Sequence, residues 1–358
     1  MIPLLIRLSL VLVLLVSTGA GCDATTAEEL SKPGALQAYI NNGMRTGEVK
    51  LPMGTITFNK TIWIPRTNGG TISGYGAPYH PDPQHGWNRK DIFRGTRLKY
   101  TGPIEEPAII WRSSHSQTLE KFGVETEGDI GILYPHTPGW GGADCDVKQV
   151  SFYAPNGVGF QAGEKKGDFN CADINFYSCQ FGWCERGFVS KNTQALVFFF
   201  HSLRAIRCET VIDQEHGGSV SVFGAGLYDV DTFYRCGQGG VNTQPCVFVN
   251  IRCDRNANRL NPIPPTQLID SSDASSTFVA SVIGCAVTGY RGEVSERFLI
   301  NKRAHHRVKI QSVSTSVKYP DFVTPAIAER VIPGLVVSGV METEDEVIPA
   351  QPEKYELP

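Results

Sequence analysis

Short phrases with apolar residues at alternate positions recur along most of the chain. "DINFYSCQF" (173–181) is followed by "ALVFFFHSL" (195–203), "SVSVFGAGL" (219–227), "CVFVNIRCD" (246–254), "TFVASVIGC" (277–285) and "RVKIQSVST" (307–315). Each reads as a β-strand, and no helical periodicity lies between them. The leading apolar residues Val150, Ile174, Val197, Val220, Val247, Val279 and Val308 are spaced 24, 23, 23, 27, 32 and 29 apart. A second series, marked by Val158, Phe188, Val211, Phe233, Leu268 and Leu299, alternates with the first without exception. A period of this length with two strands per repeat predicts a solenoid of parallel strands.

One coil of such a repeat is too small to bury its own apolar face. Stacking places like positions of adjacent coils in continuous rows about 4.8 Å apart, with the backbone paired from coil to coil. Additions are tolerated at corners, and here they cluster. The step from first to second marker is 13 or 14 residues from Ile174 through Phe233, then 21 and 20. The growth falls in "DRNANRLNPIPPT" (254–266) and "TGYRGEVSE" (288–296), at one corner of successive coils. Short strands at close spacing also describe a β-sandwich, but an antiparallel sandwich has no reason to keep two series in strict alternation.

Residues 33–76 set the start of the stack. Pro33 and Gly34 precede an apolar-periodic segment, Ala35 to Asn42, which predicts a short helix ended by Gly43. "GEVKLPMG" (47–54) and "ISGYG" (72–76) follow. This succession resembles the entry of the pectate-lyase-like (pectin-lyase fold) right-handed parallel β-helix superfamily: a capping helix, a g-x-V-x-L-P-x-G turn and an l-x-G-x-G phrase. The resemblance covers roughly residues 25–340. It implies an all-β, single-stranded right-handed parallel β-helix with a short N-terminal capping helix over residues 23–340. An acidic, proline-bearing tail occupies 341–358. The helix also covers an exposed sheet edge, the chief aggregation hazard of a stack.

Composition narrows the class. The chain has 358 residues, 37 glycines, 22 prolines and 19% charged residues, which is turn-rich and core-forming. A formal net charge of −3 and pI near 6.3 leave no basic footprint for nucleic acid. Residues 1–22 carry Arg7, an apolar run from Leu8 to Val16 and small residues, which reads as a signal peptide and predicts export. "GAGC", ending at Cys22, resembles a bacterial lipobox, with Cys22 lipidated as the membrane anchor of a cell-envelope protein. Ordinary cleavage and secretion is the alternative. Without Cys22, nine of the ten cysteines remain, and several end the recurring strands. They read as buried thiols rather than as a metal site.

The resemblance implies an acidic polysaccharide as partner, lying along one parallel sheet, with a lyase or a glycoside hydrolase as the activity. A non-catalytic carbohydrate-binding or surface-scaffold protein is the alternative. Two residues beyond the second-series markers stand Ser190, Asp213, Arg235, Asp270 and Asn301. In a regular stack Asp213 and Asp270 lie two coils apart, about 9.6 Å between backbones, near the upper end for inverting hydrolysis. Glu215 supplies a further carboxylate, and His216, Lys191, Tyr234 and Trp183 are candidate substrate contacts. In a lyase, Arg235 or Lys191 is the base and the acids hold Ca²⁺. The competing reading of the same column is an ordinary Asp–Arg–Asp ladder finishing a solenoid corner. "EHGG" places Glu215 where the Gly-His-Gly phrase of polygalacturonases has its first glycine.

Overall fold

A computed structural model describes residues 25–77, 95–112, 114–135, 142–167, 171–240, 245–254, 266–274, 278–288, 300–301, 307–315, 335–338 and 341–342. The leader, Cys22, the two expanded corners and most of the tail lie outside these residues. All strand pairings among the described residues are parallel, and they form one sheet of seventeen strands and another of nine. Strands a full coil apart in sequence lie side by side, so the chain is a right-handed parallel β-helix.

A representative coil runs along Ile174–Tyr177, bends at Ser178 and continues as Gln180–Gly182 in the first sheet. It bends again at Trp183 and enters the second sheet as Arg186–Ser190. In the next coil the first two segments fuse into one bent strand, Val197–Ile206. The bends are residues held at positive φ in register with one another: Gln149 (53°), Ser178 (51°) and Ser202 (54°), then Gly224 (81°) and Asn250 (55°). Their backbones are paired from coil to coil, Gln149 N–H to Tyr177 O and Ser178 N–H to His201 O, both 2.7 Å. This long-range pairing holds non-glycine residues in a conformation they otherwise seldom adopt.

The register departs from the apolar markers in four coils, by five residues at the first and by one at the others. Ile174 lies between Cys145 and Phe198 rather than Val150 and Val197, and the row continues through Val220, Cys246, Ala280 and Val308. At Cys246 and Ala280 a small inward residue stands beside the valine that had drawn the reading. In the second sheet Phe188 aligns with Ile212, Tyr234, Ile269 and Ile300, not with Val211 and Phe233. Pairing there skips the position of Gly131, Gly159 and Gly187, and the successive residues Val211 and Ile212 are both buried. The strand therefore kinks before it resumes alternation.

Between the sheets runs a core of stacked aromatics. Phe176 and Phe200 stack with ring centres 4.5 Å apart and planes nearly parallel, and Phe188 meets Phe176 edge-on at 5.6 Å. Nine cysteines, Cys145 to Cys285, are buried and form no disulfide among the described residues, in line with the reading as buried thiols. Burial pushes the Cys179 and Cys236 thiols up to about 12.

The capping helix spans Ala35–Thr46 and buries Leu36, Ile40 and Met44 against the first coils. It ends at Gly47, at φ 86°, and not at Gly43. Gly43 sits inside it because a Cβ there would come within 2.6 Å of the Glu48 carbonyl oxygen. A preceding turn of helix, Ala27–Leu30, closed by a Thr26–Glu29 capping box, was not anticipated. At the far end Met341 and Glu342 pair with Ser314 and Thr315, so the stack runs two residues past the expected boundary.

Candidate functional site

The outer face of the nine-stranded sheet carries the charged column. Asp213 on Thr210–Gly217 aligns with Arg235 on Thr232–Gly240, Arg235 with Asp270 on Gln267–Asp270, and Asp270 with Asn301. The order read from the sequence therefore holds for these four. Ser190 does not belong with them: Val189 aligns with Asp213, and Ser190 aligns with Gln214 on the inward side. The kink in each strand accounts for the slip.

Asp213 faces outward in register yet has no exposed surface. Arg235 covers it with a two-point contact, Nε to Oδ1 at 3.0 Å and Nη2 to Oδ2. Arg186, one coil earlier, donates through Nη1 to Asp213 Oδ2 (3.3 Å) and to Glu215 Oε1 (2.7 Å). Removing a carboxylate from water costs several kcal/mol unless charge and hydrogen bonds are returned to it. Two guanidiniums return both. The hydrogen bond to Asp213, with the surrounding carboxylates, holds the Arg235 guanidinium above its usual pKa. Arg235 is thus a fixed cation, 39% of its side chain still open to solvent.

The accessible acids are different ones. Glu215 is 34% exposed, and Asp270 is partly exposed. Asp270 Oδ1 accepts from the Ser272 backbone N–H (3.1 Å) and hydroxyl (2.7 Å), fixing the chain as it leaves the strand. The Asp213 position is that of an anchor, because a carboxylate that accepts three guanidinium hydrogen bonds and is sealed from water is closed to a reactant. Arg186 escaped the sequence reading because it stands in the neighbouring column, with Thr210 and Thr232. The signal was its place one coil below Asp213 and three residues off register.

The other candidates separate. Lys191 and His216 are partly exposed beside this column, at the C-terminal ends of their strands. His216 Nδ1, Ser190 Oγ and Asn192 Nδ2 are buried atoms without a hydrogen-bond partner among the described residues. Tyr234 is a core residue, contrary to its expected role as a sugar platform. It is fully buried, donates to Gln214 Oε1 (2.5 Å) and stacks on Phe278 at 5.7 Å. Its ring falls in the inward row with Phe188 and Ile212, so it has no face to offer. Trp183 stands at the bend before the sheet, 6.2 Å from Tyr153 with the Arg207 guanidinium over it at 5.7 Å. Among the described residues no three His, Cys, Asp or Glu side chains come together to hold a metal ion. The oxygens of Asp213 already serve the Arg186 and Arg235 guanidiniums.

No family model and no curated protein matches the chain. Among solved structures it is similar to full-length tailspike protein 2 from Escherichia coli O157:H7 bacteriophage CAB120, at 12% identity and TM-score 0.47, over 79% of this chain and 35% of that one. The enzymatically active domain of a tailspike protein 2 is 10% identical, over 87% of this chain and 39% of that one, at TM-score 0.44. The A-module of a mannuronan C-5 epimerase from Azotobacter vinelandii is 13% identical, over 87% and 95%, at TM-score 0.34. The chain spans well under half the length of the two tailspike chains. The fold assignment stands on the chain's own pairing registers.

Proposed function

We propose that the protein engages an acidic polysaccharide along the outer face of the nine-stranded sheet, with Arg235 meeting a sugar carboxylate. The observation that carries this is the buried Asp213, which holds Arg235 ionised and in place while leaving part of its guanidinium open. Guanidinium–carboxylate recognition is planar and two-pronged, and a pre-fixed fork loses less freedom on binding than a free one. Outward rows repeating at about 4.8 Å suit an extended polymer better than a compact ligand. A raised pKa makes Arg235 a poor proton acceptor, so in a lyase reaction Lys191 is the base that remains.

A glycoside hydrolase is the second reading. It is favoured by Glu215 and Asp270, the two carboxylates of the group that reach solvent, standing on the coils before and after that of Arg235. Incubation with a panel of acidic polysaccharides, read by new reducing ends and by unsaturated-product absorbance, tests both chemistries. Binding without either product supports a carbohydrate-binding role. No binding to any acidic polymer overturns the proposal. Export and attachment through Cys22 belong to the same reading. Fractionation should place the wild type with membranes and release Cys22→Ser or leave it unprocessed.

A further inference from the structure

A second groove lies on the other sheet, where the strands of successive coils bend. It has a volume of about 400 Å³, and Gly76 and Ala77 are part of its lining. One wall is the row Ser151, Gln180, Arg204, aligned in adjacent strands. The other is the row of positive-φ bend residues Gln149, Ser178 and Ser202, all exposed. The next coil presents Gly224 and Gly226 at these two positions, and the Tyr228 ring lies against Gly226 at that end.

Two features mark the groove as built for a ligand. Gln180 is only 8% exposed, yet its amide Nε2 has no hydrogen-bond partner among the described residues. A buried donor left unpaired is costly, and a ligand acceptor would relieve that cost. Beside it Arg204 is exposed, and among the described residues it forms no ion pair and no carboxylate lines the groove. The backbone donors here are spent, Gln180 N–H on Val150 O and Arg204 N–H on Cys179 O, both 3.0 Å. Side chains alone therefore face the space: an amide donor, a free guanidinium and hydroxyls that both donate and accept. A bare oxyanion would satisfy Arg204 but leave most of this volume and the hydroxyl wall unused. The volume lies within the range of small-ligand pockets.

We propose that this groove binds an anionic sugar unit, its acid group on Arg204 and a hydroxyl or ring oxygen accepting from Gln180 Nε2. The site lies on the opposite sheet from Arg235 and does not depend on the reading given to that column. The test is calorimetric titration of the full chain, carrying Arg235→Gln to silence the other face, with digalacturonate, neutral galactobiose and inorganic phosphate. Digalacturonate should bind at least tenfold more tightly than either other probe. Arg204→Gln and Gln180→Leu should each weaken it about tenfold or more, with the thermal midpoint held by Arg204→Gln. Phosphate binding as tightly as digalacturonate would reduce the groove to a general anion site and overturn the sugar assignment. Digalacturonate affinity unchanged in both variants would overturn the groove itself. The Arg204 variant keeps the test decisive if Gln180→Leu fails to fold.

Discussion

The outer faces of the two sheets are made by the same device and come out opposite. On the seventeen-stranded sheet, Tyr177, His201 and Phe223 align in successive coils and stack face to face at 4.9 and 5.3 Å, with Phe223 left 40% exposed. On the nine-stranded sheet, Asp213, Arg235 and Asp270 align in the same way, but the first is sealed from solvent. A repeating coil makes rows out of whatever residues it carries. Alignment alone therefore says nothing about role; burial and partners do. The aromatic row covers its rings with each other and leaves their edges wet. The charged row commits a buried carboxylate to holding a guanidinium.

That contrast can be broken most forcefully from the core side of the same strand. Phe176, next to Tyr177, is buried among Phe160, Phe188 and Phe200. Phe176→Ala should cost about 3–5 kcal/mol in denaturant unfolding. Asp213→Ala comes next, at about 3 kcal/mol, the lower end for breaking a buried pair because both guanidiniums reach water. The coupling between Asp213→Ala and Arg235→Ala in a double-mutant cycle should be clearly non-zero. Additive losses would mean that the two-point contact contributes nothing.

A gentler probe is pH. Burial raises the Cys179 and Cys236 thiols from 9.0 to about 12, so above pH 9 the unfolded chain loses protons that the folded one keeps. Stability should be flat below that value and fall as pH rises towards 12. In the native state these thiols should resist alkylation at pH 8 and react once unfolded; rapid labelling of folded protein would contradict their burial. Smallest of all, Phe223→Ser should shift stability by no more than about 0.5 kcal/mol, since the ring is a surface one. A loss near that of Phe176→Ala would show that the open row is covered in solution.

The sequence disclosed the coil repeat, because the alternation of two apolar series is a property of the stack itself. It misled by one residue where Cys246 and Ala280 fill the inward row, since the adjacent Val247 and Val279 are the stronger apolar marks, and by five at Cys145, where Val150 had been taken. The same slip put Ser190 in the charged column. Gly43 looked like a helix terminator because close packing and termination ask for the same residue. Asp213, Arg235 and Asp270 were legible as a column, whereas the burial of Asp213 depended on Arg186 from another column. The groove at Gln180 left no motif, because its walls are bends of ordinary polar residues aligned only by coiling.

The central claim is that buried Asp213 fixes Arg235 to recognise a sugar carboxylate. The direct measurement is titration of the Arg204→Gln protein, whose second groove is disabled, with a polyuronate and with its methyl-esterified form, before and after adding Arg235→Gln. The account predicts a preference of at least tenfold for the free acid that falls to parity in the Arg235 variant, with the fold retained by circular dichroism. Equal affinity for acid and ester before that substitution, or an undiminished preference after it, would contradict it.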